Sequence, residues 1–248
     1  MKTANPSGTL HPRVTAGTAL SLRPATLTAP RTPAKPRPVP VRPAYPLKGA
    51  LDYLLAVVIA VPALPAMAVC MALVKLTSRG PAVYSQTRVG RGGLVFTIYK
   101  IRSMYHECEK VTGIQWSVKG DRRITPLGRV LRVLHLDELP QLWNVLIGDM
   151  SLIGPRPERP EIVDDLGVTL GRGYDIRHAV KPGLTGFAQI HLPPDSSVRT
   201  AKNKLVYDRY YVGRMGFWLD LRILALTALK VVGLKKLYRR APRHPAAE

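Results

Sequence analysis

Uncharged apolar residues fill the chain from Tyr53 to Val74, a run of 22 positions with no polar face. As a straight helix it would reach roughly 33 Å, the thickness of a bilayer core. A buried core helix normally shows a polar stripe, which is missing here. A signal peptide ending at Ala66-Met67-Ala68 would carry too long a leader, and the run continues past that point. A single span and a re-entrant hairpin remain. Pro62 and Pro65 sit near the centre, where each removes a helical hydrogen bond. Lys48 lies before the run, and Lys75 and Arg79 after it. Basic flanks tend to stay cytoplasmic. Together these features favour a hairpin with both ends on one face.

After the Gly80-Pro81 turn the pattern changes. AVYSQTRVG and LVFTIYK have strand composition on either side of a Gly-rich turn. Leu127, Val130, Leu131 and Leu134 predict a helix within 126–150, and Asp137 is expected to open a second one carrying Leu139, Leu142, Val145 and Leu146. The stretch from Phe217 to Leu237 is apolar with Arg222, Lys230, Lys235 and Lys236 interspersed. This suits an interfacial amphipathic helix, and packing on the protein's own core accounts for the same period equally well. The predicted fold is an α-rich α+β architecture: a re-entrant membrane helix over 47–78 and a small cytoplasmic domain over 79–240, ending in the interfacial helix.

Composition adds a basic tail. Residues 1–46 hold ten of the 23 prolines and no Asp or Glu, which predicts a disordered extension without catalytic work. Over the whole chain 37 Lys and Arg face 16 Asp and Glu, a net charge of +21. Such an excess calls for an anionic partner: nucleic acid, an anionic membrane or a phosphorylated substrate. Nucleic acid is not expected, because it leaves the apolar run unexplained and no nucleic-acid module is present. The two cysteines, Cys70 and Cys108, make no disulfide framework and point to a reducing compartment. Cys108 lies near His106, but no second ligand pair follows, so zinc is not expected.

The candidate chemistry centres on LHLDELPQLWNVLIGDMSLIGPRPE, Leu134 to Glu158. Asp137-Glu138 is an acidic pair in apolar surroundings. Helix capping explains such a pair, and so does a carboxylate nucleophile or Mg²⁺ ligand. Arg88, Arg91, Lys100, Arg102, Arg129, Arg132, Arg156 and Arg159 supply cations of the kind a diphosphate needs.

Five segments, in order and spacing, resemble one family: LDYLLAVVIAVPALP, RGPAVYSQTRVGRGGLVFTIYKIRSM, LDELPQLWNVLIGDMSLIGPRPE, VKPGLTGFAQ and YDRYYVGRMGFWLDLRIL. The family is that of the bacterial sugar transferases, monotopic phosphoglycosyl transferases that prime exopolysaccharide and O-antigen assembly. The resemblance runs from about Lys48 to about Gly233. It implies transfer of a sugar-1-phosphate from a UDP-sugar to polyprenyl (undecaprenyl) phosphate with release of UMP, at the cytoplasmic face of the bacterial inner membrane. It implies Asp137 as nucleophile, Glu138 and Lys100 as catalytic partners, and Arg88, Arg102, Arg156 and Asp220 as substrate-binding residues. It implies Mg²⁺ on Asp137 and Glu138, and leaves room for a homodimer.

The family breaks its membrane helix at a Ser-Pro pair, and here that pair is Leu64-Pro65. Leu51, Phe187, His191-Leu192, Val133 and His135 also depart from the pattern, which leaves the reaction intact and bears on sugar preference. A binding protein on a decayed transferase fold would have lost the acidic pair or its cations, and both are present. A glycosyl transferase moving sugar without phosphate would release a nucleoside diphosphate instead of a monophosphate.

Overall fold

The computed structural model describes residues 43–118 and 120–234, so nearly all of the predicted basic tail lies outside the described residues. The apolar run forms one helix, α1 (Lys48–Thr77), which continues through Pro62 and Pro65. Its inward face is a stripe of small side chains. Ala56, Ala63 and Cys70 are buried at a spacing of seven, with Val74 one turn further on. Small residues at that period let another element approach the helix axis closely. Leu54, Val58, Val61, Leu64 and Val69 face outward and are exposed. Among the described residues α1 is the one helix long and apolar enough to cross a membrane.

Both ends of α1 are tied to the rest of the protein. Lys48 Nζ donates to Asp220 Oδ2 at 2.7 Å, near the chain's other end. Asp52 accepts from Ser151 Oγ at 2.6 Å. Past the C-terminus, Arg102 donates to the Ser78 carbonyl at 3.0 Å and the Ser78 hydroxyl at 2.8 Å, and also to the Arg79 carbonyl. Carbonyls at a helix end lack intrahelical donors, and this guanidinium supplies them.

The two strands expected on either side of the Gly-rich turn form and pair. Strands β1 (Val83–Val89) and β2 (Val95–Ile101) pair antiparallel with Val83 opposite Ile101 and Val89 opposite Val95. The turn Arg91–Gly93 places Gly92 at φ 69° and Gly93 at φ 79°, where a side chain would be strained. The outer edge of β2 is met by one side chain. Asn144 is fully buried, accepts from the Tyr99 amide at 3.3 Å and donates to the Thr97 carbonyl at 2.7 Å. Its amide thus does what a third strand would do.

A short α2 (Cys108–Thr112) precedes α3 (Pro126–Val133), which Thr125 caps by accepting from the Gly128 amide at 2.9 Å. The expected second helix does not open at Asp137. Residues Leu136–Glu138 form a separate 3-10 turn, and α4 (Gln141–Leu146) begins only after Pro140. His135 reverses the chain in the left-handed region at φ 57°. Pro140 has no amide to extend the turn into α4.

Strands β3 (Ser151–Ile153) and β4 (Gly183–Thr185) run parallel. Between them lie α5 (Pro160–Leu170) and a 3-10 segment, Gly171–Ala179. The loops beyond β3 and β4 touch backbone to backbone. A Cβ on Gly183 would lie 2.0 Å from the Gly154 nitrogen, and one on Gly186 would lie 2.1 Å from the Gly154 oxygen. Then follow α6 (Phe187–His191), α7 (Val198–Arg214), which starts with a Ser197–Thr200 capping box, and α8 (Phe217–Val231). Helix α8 buries Asp220 and Ile223 and exposes Trp218 and Leu221. Within the described residues it therefore packs on the core and also carries apolar side chains outward.

Two glycines give opposite expectations. Gly183→Ala forces apart backbones that cannot yield and should lower stability by about 1–3 kcal/mol. Gly167, inside α5, has nothing within 4 Å of a built Cβ. Gly167→Ala should raise stability by roughly 0.5–1 kcal/mol. Thermal unfolding of both variants in detergent checks the pair. A Gly183→Ala protein as stable as the parent would contradict the packing described.

Candidate active site

The acidic pair occupies the 3-10 turn between α3 and α4, and its two members differ sharply. Asp137 is buried, 7% exposed, and forms no hydrogen bond or ion pair among the described residues. It caps no helix, because the cap position of its own turn is His135 and that of α4 is Pro140. Glu138 is gripped from two sides. Lys100 Nζ donates to Oε1 at 3.1 Å from the end of β2. Arg156, from the loop after β3, donates Nη2 to Oε1 at 2.5 Å and Nη1 to Oε2 at 3.4 Å.

Their acidities diverge accordingly. Burial pushes the Asp137 carboxyl up, and neighbouring Glu138 adds to this against Lys100, Arg132 and Arg156. Burial acts the same way on Glu138, but Arg156 and Lys100 overcome it and hold that carboxyl well below the usual range. Burial pulls Lys100 down despite Glu138. One carboxylate is held as an anion by two cations, and the other is a buried carboxyl whose side chain has no hydrogen-bond or ion-pair partner among the described residues. Paired titratable groups pushed apart in this way are a mark of acid–base or nucleophilic chemistry.

The loop bearing Arg156 is held along its length. The carbonyls of Pro155, Arg156, Pro157 and Glu158 accept, in turn, from the Gly183 amide at 2.9 Å, Arg177 Nη2 at 2.8 Å, Arg88 Nη1 at 3.1 Å and the Val89 amide at 2.9 Å. Arg88 also lies 3.6 Å from Glu158. Arg132 reaches the other flank of the site. It donates to Ser103 and Ser117 at 2.8 and 2.9 Å, and its charge acts on Asp137.

Of the residues expected from sequence, Lys100, Asp137, Glu138 and Arg156 come together in one cluster, with Arg88 behind it. Arg102 and Asp220, expected to bind substrate, are engaged elsewhere. Arg102 closes the end of α1, as described. Asp220 accepts from Lys48, from Tyr45 at 3.1 Å and from Tyr211 at 2.9 Å, which places it as a buried fastener. Sequence reading did not single out Asn144, Arg177 or Lys230. Lys230 donates to the Gln189 carbonyl at 2.7 Å and feels the charges of Arg156 and Glu138. Its interruption of an apolar run was the signal available.

Among the described residues no three acidic, His or Cys side chains gather as a metal cage. Mg²⁺, however, commonly takes one or two carboxylates and completes its shell with water and substrate phosphate. The free carboxylate of Asp137 beside Glu138 fits that mode. Next to the pair runs an apolar groove of about 330 Å³, lined by Ala60, Leu64 and Met67 of α1 together with Tyr99, Leu139 and Trp143.

The model of the bacterial sugar transferase family matches residues 44–234. The chain is similar to the UDP-N-acetylgalactosamine-undecaprenyl-phosphate N-acetylgalactosaminephosphotransferase of Aeromonas hydrophila, with 43% identity over 182 residues, 73% of this chain and 42% of that protein. It is 41% identical over 193 residues to the UDP-glucose:undecaprenyl-phosphate glucose-1-phosphate transferase of Xanthomonas campestris, covering 77% of this chain and 40% of that one. A protein of the same name from Caulobacter vibrioides is 36% identical over 193 residues, 72% of its length. The chain thus spans about two fifths of the first two relatives and more of the third. The family match takes in the membrane-type helix, the hairpin, the acidic pair and the Arg156 loop alike, and the chain belongs to the bacterial sugar transferase family.

Proposed function

We propose that this protein transfers a sugar-1-phosphate from a UDP-sugar to undecaprenyl phosphate, as the priming step of exopolysaccharide or surface glycan synthesis. The observation that carries this reading is the unpaired, buried Asp137 beside a Glu138 held ionised by Lys100 and Arg156. The relatives bear the names of undecaprenyl-phosphate sugar phosphotransferases that use glucose or N-acetylgalactosamine.

In this mechanism an Asp137 oxygen attacks the sugar-bearing phosphorus. The new O–P bond forms as the bridging P–O bond breaks, and its electron pair leaves on UMP. A phosphate oxygen of the lipid then attacks the same phosphorus and returns the carboxylate. Burial without hydrogen bonds keeps Asp137 reactive once it is ionised. Arg156 and Lys100 offset charge on the diphosphate. Mg²⁺, held by Asp137 and Glu138, would supply further neutralisation of the diphosphate. The apolar groove beside Leu139 suits the isoprenoid chain.

The membrane reading follows from the anchoring of α1. Lys48 at one end and Ser78-Arg79 at the other are bonded to the same folded body, which supports placing both ends on one side of the bilayer. We read α1 as re-entrant, with its outward face and Trp218 in lipid and the catalytic domain at the cytoplasmic face of the inner membrane.

Intact-protein mass spectrometry after incubation with UDP-sugars and Mg²⁺, without lipid, should reveal a sugar-phosphate adduct on the parent. Asp137→Asn should show none and should lose at least about 10³-fold in turnover while remaining folded. UMP should be the nucleotide released. Release of UDP, or normal turnover by Asp137→Asn, would overturn the mechanism.

Topology is tested separately. Cysteines placed before Lys48 and after Lys75 should label from the cytoplasmic face alike, and labelling from opposite faces would exclude the re-entrant arrangement.

A further inference from the structure

The loop Gly154–Arg159 contains Pro155 and Pro157, neither of which has an amide to donate. The loop is therefore held through its carbonyls, by a backbone amide at each end and a guanidinium at each of the two middle positions. The guanidinium on the Arg156 carbonyl is that of Arg177. Arg177 is 7% exposed. Its Nη2 lies 2.8 Å from the Arg156 oxygen and 3.3 Å from Asp208 Oδ2, while Nη1 donates to the Tyr174 hydroxyl. Asp208 is 4% exposed on α7. It is faced by Arg177 and Tyr174 from the 3-10 segment, Lys204 on its own helix, Glu158 of the loop and Asp195 before α7.

We propose that Arg177, braced by Asp208, is a positioning residue that sets the Arg156 backbone so that the Arg156 guanidinium meets Glu138. The contacts are continuous from Asp208 to Arg177, to the Arg156 carbonyl, and through the Arg156 side chain to Glu138 at 2.5 Å. A buried ion pair is weak evidence for stability, because desolvation offsets the attraction. A planar fork with Nη2 on a carbonyl and a carboxylate and Nη1 on the Tyr174 hydroxyl does fix geometry, which a lysine at the same place cannot reproduce. Burial pushes the Asp208 carboxyl up to about 6, against Arg177 and Lys204. The brace therefore loses its charge as pH falls through about 6. The fold is not weakened by that proton: a carboxyl raised above its unfolded value of about 3.9 gains stability as pH drops across the interval.

The inference rests on the transferase reading, and the experiment separates the two. Turnover of UDP-sugar with undecaprenyl phosphate is measured for the parent, Arg177→Lys, Arg156→Ala and the double variant, and for Asp208→Asn across pH 5–8. A parent inactive with every donor would refute the transferase reading itself. With an active parent, Arg177→Lys should lower kcat by about 10²-fold, with KM for the lipid phosphate unchanged. In the Arg156→Ala background the same change should cost less than about threefold, because Arg177 acts through Arg156. The ratio of parent to Asp208→Asn rates should fall toward one as pH drops below about 6, where both carry a neutral side chain at that position. Losses that multiply in the double variant would overturn the proposal, as would a ratio independent of pH. The Asp208→Asn ratio decides alone if Arg177→Lys does not fold.

Discussion

Glu138 is where three separated parts of the chain are made to meet. Its carboxylate takes a lysine from the end of β2 and an arginine from the loop after β3, while its own turn hangs between α3 and α4. A largely buried carboxylate cannot stay ionised without such partners, and a buried cation has the same need. Glu138 therefore depends on the two cations, and each cation depends on Glu138 against the repulsion of the other. Removing Glu138 would leave both cations without their carboxylate, at a cost on the order of 3–5 kcal/mol for a fully buried pair. Arg156 is one third exposed on its side chain, so its share is smaller. Asp137 inherits its position from this clamp without taking part in it.

The second organising contact works at a longer range. Lys48 and Asp220 join the first described helix to the last, with Tyr45, Tyr211 and Asp52 completing the cluster. Between this knot and the Arg102 closure, α1 lies against the domain by its small side chains. The apolar groove beside the acidic pair is lined by α1 and α4 together, with Ala60, Leu64 and Met67 on one side and Leu142 and Trp143 on the other.

Local chemistry made part of this legible in the sequence. The hairpin could be read because β-branched and aromatic residues flank two glycines that a tight turn requires. The membrane-type helix could be read because nothing polar interrupts it. The break around Asp137 could not, because the left-handed residue is His135, which carries no signature of positive φ. The acidic pair looked like a helix cap for the same reason. Arg102 and Asp220 were expected to bind substrate from the family resemblance, yet a charge in sequence does not name its partner, and theirs in the structure are 24 and 172 positions away. Arg177 and Asp208 were invisible on the same ground.

The span between Lys48 and Asp220 also sets an order of events during synthesis. At roughly 5–20 residues per second, the ribosome needs on the order of ten to thirty seconds to deliver the second residue after the first. Throughout that interval α1 lacks its ionic anchor, and for the first part of it also the β3 serine that binds Asp52. Its apolar face stands uncovered before the domain that will hold it exists. The long apolar helix is thus made first, and the rest of the folded body closes onto an element that has already stood uncovered.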